Sequence, residues 1–187
     1  MIAKERTRTL MHFRQATTGD LDMILAIENQ SFKNGIKESP QVFLERIEVF
    51  PEGFLLLETD ESADPIGYIC SELWSSKKDL SAENLSLGHS IKKVHSHQGQ
   101  ELYVSSMGVL PEYRGRGYGG RMLRHLITKA SKDFPQVNSV LLIVSEKWPA
   151  ARKTYLKLGF EQVDLIPAFF QPVGLKSEPG IVMKKML

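Results

Sequence analysis

Two stretches of this chain carry residue types at spacings that suit chemistry. The first is Pro111-Glu112-Tyr113-Arg114-Gly115-Arg116-Gly117-Tyr118-Gly119-Gly120, which separates an apolar run from an amphipathic one. A glycine-rich turn that opens a helix bares peptide N–H groups at the positive end of the helix dipole, and that favours phosphate. Glycine serves there because a Cβ blocks close approach and because some positions need positive φ. The second is the stretch around Tyr155, which shares a helical face with Ala151 and Leu158. Its phenol, with an ordinary pKa near 10, is a proton donor, although such a tyrosine taken alone reads as core. His95-x-His97 resembles half of a metal site, but no third ligand stands at a matching spacing, so a solvated loop and no metal are expected. Cys70, the single cysteine, lies in an apolar run and reads as an inert buried residue.

Three kinds of phosphate site compete for the glycine run. A mononucleotide P-loop ends in Gly-Lys-Ser/Thr, and Gly119-Gly120-Arg121 stands here instead, which excludes it. The dinucleotide pattern G-x-G-x-x-G is met formally by Gly115, Gly117 and Gly120, with Glu146 near the end of the next strand. That turn follows its strand directly, however, whereas Gly115 lies well past Val109, and too little chain follows Gly120 to complete a doubly wound sheet. The third pattern is Arg114-x-x-Gly117-x-Gly119, preceded by Val109-x-Pro111.

The elements that must position these residues are legible in the apolar spacing. Leu21, Ile24, Leu25 and Ile27 follow a helical period after the capping candidates at 17–20, and Ser39-Pro40 opens a second helix carrying Val42, Phe43, Leu44, Ile47 and Phe50. Residues 54–58 and 66–70 read as paired strands across a short loop. Residues 75–100 are polar without a sustained apolar period and predict a partly helical excursion over a binding site. Residues 102–109 form a strand, and Met122, Leu123, Leu126, Ile127 and Ala130 the apolar stripe of the helix after the glycine run. The continuous apolar run 140–144 suits a strand covered on both faces. Pro149 opens a helix that Gly159 ends, and a last hairpin pairs about 161–165 with 180–186. Strand–helix–strand–helix implies one parallel pair inside an otherwise antiparallel meander. Trp74, Phe169 and Phe170 either line an aromatic pocket or pack the core, with core expected for the two phenylalanines.

The third glycine pattern resembles the acyl-CoA-binding motif of the GNAT superfamily of N-acetyltransferases. The resemblance continues in Ala151-x-x-x-Tyr155-x-x-x-Gly159-Phe160, in Ile27-Glu28-x-x-Ser31-Phe32 and in Phe50-Pro51-Glu52-Gly53-Phe54, so it spans about 13–184 in the family's order. Within the superfamily the layout from Gly67 to Trp74, then a polar loop with Leu85-x-Leu87, is similar to the arylalkylamine (serotonin) N-acetyltransferases. Two positions depart from that branch: its two strand histidines fall at Tyr103 and Ser105, and its helix-opening asparagine at Trp148.

The resemblance implies an α+β fold (an α/β/α sandwich) with a mixed, mostly antiparallel sheet and a splayed parallel strand pair. It implies acetyl-CoA as co-substrate and a small primary amine, aralkylamine-like, as acceptor. A polyamine, an amino sugar or a protein amine is the alternative acceptor, and an idle CoA-binding module the alternative outside catalysis. Carried over, Met107, Gly108 and Val109 meet the pantetheine arm, and Arg114, Gly115, Arg116, Gly117, Tyr118, Gly119 and Gly120 the pyrophosphate. Tyr155 is the general acid, Ser105 and Tyr103 a proton relay, and Glu28 and Trp74 acceptor-binding residues.

Composition sets the remaining bounds. A net charge of +2, from 24 Lys and Arg against 22 Asp and Glu, is too balanced for bulk attraction to nucleic acid, so an anion site must be local. A single cysteine excludes an internal disulfide and fits a reducing, cytoplasmic setting. No apolar run is long enough to span a membrane, and the start lacks the apolar core of a secretory signal. One domain is expected over 13–187 after a tail at 1–12, with Met11 as a rival start, in a monomer or homodimer.

Overall fold

A computed structural model describes residues 9–75 and 82–187, apart from the side chains of Ala82 and Asn84. Most of the expected tail and part of the polar excursion lie outside the described residues. The strands are β1 (Met11–Gln15), β2 (Phe54–Thr59), β3 (Gly67–Trp74), β4 (Glu101–Val109), β5 (Ser139–Ser145), β6 (Glu161–Phe170) and β7 (Glu178–Met186). The helices are α1 (Leu21–Ser31), α2 (Pro40–Val49), the short α3 (Ala82–Leu85) and α4 (Ile91–Val94), α5 (Tyr118–Asp133) and α6 (Pro149–Lys157). One sheet runs in the order β1-β2-β3-β4-β5-β7-β6, with β4 and β5 parallel and the other neighbours antiparallel. This is the expected α+β architecture.

The two-residue period of the strands sorts the core into two layers. Phe54, Leu56, Tyr68 and Cys70 meet Ile24 and Ile27 of α1 and Phe43 and Ile47 of α2 on one face. Leu55, Leu57, Ile69, Leu102, Val140 and Leu142 meet Met122, Leu123, Leu126 and Ala130 of α5 on the other. Each Val, Leu, Ile, Phe or Met among them contributes about 1.5–3 kcal/mol by leaving water. The apolar stripe read from the sequence is therefore what docks α5 under the central strands. Ser39 caps α2 by accepting from Val42 N, with Pro40 in the first turn, as its sequence predicts.

Two features of the sheet differ from the sequence expectation. The last hairpin is longer, because β6 continues past Pro167 through a register shift between Ile166 and Phe170, where Ala168 takes a positive φ of 53°. Proline at an edge strand costs no ladder bond when it sits in a bulge, so Pro167 does not end the strand. The second is in β4. The β3 pairing passes from Cys70↔Ser106 to Ser71↔Val104, which leaves Ser105 as an extra residue. A bulge of this kind flips the side-chain parity of the strand. Before it Tyr103 packs with Trp74, Leu85, Leu141 and Val182; after it Ser106 and Gly108 turn to the α1 face.

Between α2 and the sheet lies a buried ionic cluster. Arg46, 1% exposed, pairs with Glu38 at 2.9 Å and with Glu72 of β3 at 3.4 Å. Removing one member of a buried ion pair strands the others' charge in low dielectric. Arg46→Met is accordingly expected to lower the unfolding free energy by about 3–5 kcal/mol in a urea titration; a loss below about 1 kcal/mol, the size of a surface pair, would contradict this reading.

Candidate acyl-CoA and acceptor site

The β4–β5 ladder ends at Val104↔Leu142, and beyond it the two strands part. On its other side β4 stays paired with β3 as far as Val109. One edge of the peptide backbone at 105–109 is thus left facing a gap, a template for an added extended chain. That gap is part of a cavity of about 730 Å³ that reaches from the glycine run, past Met107, Val144 and Tyr155, to Glu28, Phe32 and Glu38.

At one end is the start of α5. Gly117 is its N-cap residue, in the left-handed region at φ 80°, and Gly115 lies there too at φ 76°. A Cβ at either would meet nothing within 4 Å, so conformation and not space demands glycine. No side chain caps Gly117, so the first-turn N–H groups of this 16-residue helix are open to an anion. The guanidinium groups nearby are used differently from the simplest expectation. Arg114 donates to Val109 O at 2.9 Å and Gln30 O at 3.3 Å, tying the turn to β4 and α1. Arg116 pairs with Glu61 at 2.6 Å on the exposed side. The main chain, not these side chains, offers the donors.

Gly108 is where α1 crosses β4. A Cβ there would lie 2.9 Å from Ser31 Oγ and 3.0 Å from the Tyr68 ring, so only glycine lets the helix approach. That approach sets Glu28 of α1 at the cavity, buried, with one carboxylate oxygen accepting from Glu38 N at 2.8 Å and the other from the Tyr68 hydroxyl. Tyr68 in turn meets Ser106 Oγ at 2.7 Å, and Ser106 lines the cavity. Burial pushes the Glu28 carboxyl above the usual carboxylate range, and burial beside Glu28 pushes the Tyr68 phenol well up.

Tyr155 lines the cavity from α6, and desolvation pushes its phenol up to about 12, so it holds its proton at neutral pH. Trp148, where the arylalkylamine branch has asparagine, packs against Phe32 at 5.6 Å and Phe170 at 5.1 Å. All three rings line the cavity. Phe170 is a cavity residue, contrary to expectation: past the register shift at Ala168 it packs against Trp148.

The site residues read from the sequence are brought together in part. Glu28, Ser105, Met107, Gly108, Val109, Arg114, Gly115, Gly117, Tyr118, Gly119, Gly120 and Tyr155 all line the cavity. Ser105 bonds to Cys70, through the carbonyl at 3.3 Å. Tyr103, Trp74 and Arg116 are not brought to it, Arg116 being turned outward to Glu61. Tyr103 is 1% exposed and donates to Leu85 O at 3.4 Å, while Trp74 is fully buried and donates to Glu72 at 2.9 Å. His97 is exposed as expected, whereas His95 is half-buried and accepts from Leu73 N at 3.1 Å; burial lowers its pKa to about 4. Cys70 is fully buried, its thiol pushed up to about 11 by desolvation. Tyr68, Ser106, Phe32 and Leu87 were missed; the first two have no signal in the sequence beyond the small-residue pair Ser105-Ser106. Among the described residues, no three His, Cys, Asp or Glu side chains are grouped to hold a metal, and no helix is long and apolar enough to cross a membrane.

Fold and cavity together are those of an acyl-CoA transferase scaffold, and comparison gives the family. The chain belongs to the acetyltransferase (GNAT) family, whose model matches residues 21–160. It is similar to mycothiol acetyltransferase of Mycolicibacterium gilvum, 39% identical over 87 residues, which cover 44% of this chain and 28% of that protein. It is similar also to N-alpha-acetyltransferase RimI of Mycobacterium tuberculosis, 36% identical over 74 residues, covering 40% and 44%. The matches span less than half the length of these curated relatives. Among solved structures, the loading GNATL domain of CurA from Lyngbya majuscula superposes with a TM-score of 0.78 over 95% of this chain and 98% of that one, at 15% identity, a likeness of fold. These relatives carry the superfamily and not its arylalkylamine branch.

The open helix start gives a direct test. Gly117→Val forces a β-branched residue into the left-handed region, at a cost of about 1–3 kcal/mol. Calorimetry is expected to show acetyl-CoA binding weakened about tenfold or more, with the circular dichroism spectrum unchanged; unaltered affinity would contradict the assignment of the anion end.

Proposed function

We propose that the chain is an acetyl-CoA-dependent N-acetyltransferase acting on a small primary amine with an apolar or aromatic flank, an aralkylamine-like acceptor. The observation that carries this reading is that one cavity is lined both by a helix-start anion site and by the Glu28 carboxyl with the packed rings of Phe32, Trp148 and Phe170. The single cysteine favours a cytoplasmic protein. A specific observation keeps a second acceptor in view: a relative named an N-alpha-acetyltransferase favours the α-amine of a peptide.

Acetyl-CoA supplies an acyl carbon activated as a thioester; attack by the amine forms the C–N bond and releases the thiol. The main chain at 105–109 aligns the pantetheine arm, and a β4 N–H near Met107 receives the charge developing on the carbonyl oxygen. A primary alkylamine that titrates like lysine is neutral in about one molecule in a few thousand at pH 7, so the site must take up a proton. Ser106, Tyr68 and Glu28 form a chain of hydroxyls ending on a carboxylate, which makes Glu28 the acceptor for that proton. This chain replaces the relay through Tyr103 and Ser105. Tyr155 keeps its hydrogen and donates it as a hydrogen bond to the leaving sulfur. With the phenol near 12 and a thiol near 8.5, complete transfer is uphill by about 5 kcal/mol, so donation with partial transfer is favoured.

Thiol release from acetyl-CoA, measured with tryptamine, phenethylamine, spermidine and short peptides, tests the reading. Turnover with the aryl amines supports it; turnover with peptides or spermidine alone replaces the acceptor class, and tight CoA binding without turnover makes the chain an idle module. Tyr155→Phe is expected to lower kcat about 10²-fold or more with acetyl-CoA affinity within about twofold; unchanged turnover would remove Tyr155 from the reaction. Because Glu28 must be ionised to accept a proton and burial raises its pKa, activity is expected to rise with pH through a limb above the usual carboxylate range. Glu28→Gln should abolish that limb in the kcat profile, and its persistence would exclude Glu28 as the base.

A further inference from the structure

The segment joining α3 to α4 places Leu87 in the cavity wall at the end occupied by Glu28 and Glu38. Its apolar anchor is Leu85, buried against Trp74 and Tyr103. Its polar anchors converge on the ionic cluster beneath. Gly88 N donates to Glu38 Oε2 at 2.9 Å, and Ser90 Oγ donates to Glu45 at 2.7 Å. His89 Nε2 reaches both oxygens of Glu72, at 2.8 and 3.0 Å, while its Nδ1 lies 2.7 Å from Ser86 O.

Both groups that face this ring are pure acceptors, a carboxylate and a carbonyl. A neutral imidazole satisfies one and sets a lone pair against the other; only the imidazolium donates to both. The charges agree. Glu38 and Glu72 bring two negative charges and Arg46, between them, one positive. Among these groups a charged His89 balances the second carboxylate, and a neutral one leaves that carboxylate without a counter-charge; the neighbouring Glu28 carboxyl, whose proton affinity burial raises, stands outside this count. The other groups about the ring are the Trp74 and Tyr103 side chains, each 6.1 Å away between centroids.

We propose that His89 is a positioning residue for the acceptor: its imidazolium clamps the Ser86-Leu87-Gly88 turn onto Glu72 and Glu38, and so holds Leu87 as a wall of the acceptor end. This rests on reading that end of the cavity as the acceptor site. Burial and the nearby Arg46 charge oppose the charge on His89, and the hydrogen bonds to Glu72 and Ser86 with the Glu72 charge outweigh them, so the ring titrates above an ordinary histidine. The sign follows: the clamp is closed below that raised value and is released as pH rises through it.

The test combines a measurement on the unmodified free protein with kinetics. Nitrogen-resolved NMR of the histidine rings, with His89→Gln used to assign the signal, is expected to show both His89 nitrogens protonated at neutral pH. The ring should titrate above an ordinary histidine, and amide exchange at residues 87–90 should quicken over the same range. A single neutral tautomer at neutral pH, or exchange indifferent to the ring's titration, would overturn the clamp, whether or not the chain turns over any amine. In turnover, His89→Gln is expected to raise the acceptor KM about five- to tenfold, leaving kcat and the acetyl-CoA KM within about twofold. His89→Lys, which keeps a positive charge, should recover much of the loss and flatten its pH dependence. Equal effects on kcat and both KM values would point to a merely structural residue and contradict the proposal. Absence of turnover with intact His89 titration and exchange coupling would instead count against the enzymatic reading alone.

Discussion

The site depends on one irregularity in β-sheet pairing. Ser105 is an extra residue opposite β3, and the pairing of β4 with β5 ends just before it, at Val104. Parallel strands held in register along their whole length would seal the space between them with ladder bonds. Here the ladder is spent at Val104 and Leu142, and the remaining backbone of β4 keeps one paired edge and one open edge. The paired edge gives rigidity, and the open edge gives recognition. Everything else on the cavity is arranged about that divergence: the start of α5 at one end, α6 with Tyr155 beside it, and α1 crossing at Gly108 beyond.

The cavity is electrically polarised along its length. The N-terminus of α5 presents partial positive charge without a capping side chain, and the opposite end holds the carboxyls of Glu28 and Glu38. The carboxylates are kept usable by different means. Glu38 is neutralised by Arg46, whereas Glu28 has only hydrogen bonds from Tyr68 and Glu38 N and is left with a raised proton affinity. A buried carboxyl with that affinity, at the end of a hydroxyl chain, is suited to receiving a proton.

The glycine run, the stripe of α5, the apolar β5 and Tyr155 were legible because each rests on local rules: left-handed φ, a helical period, strand burial, shared helical faces. What was not legible depends on pairing between distant segments. The bulge at Ser105 shifts which β4 side chains face α1, so alternation carried from Tyr103 arrives at Ser105 and misses Ser106 and its partner Tyr68. The last hairpin reads as ending near residue 165, yet the irregular register at Ala168 carries β6 on to Phe170, which lines the cavity. Trp74 and Tyr103 are aromatic residues beside a ligand cavity in sequence order, but their rings stack on each other at 4.2 Å in a separate part of the core. His95 reads as loop because nothing in its neighbours announces the β3 N–H it accepts from.

The claim on which all of this rests is that bare main-chain donors, on β4 and at the start of α5, receive the coenzyme. Residue-resolved amide NMR during titration with acetyl-CoA measures it most directly. The account predicts saturable perturbations concentrated at residues 105–109 and 114–120, with those at 114–120 lost when pantetheine replaces the coenzyme. Saturation with changes confined to other surfaces, or no saturable change at millimolar coenzyme, would contradict it.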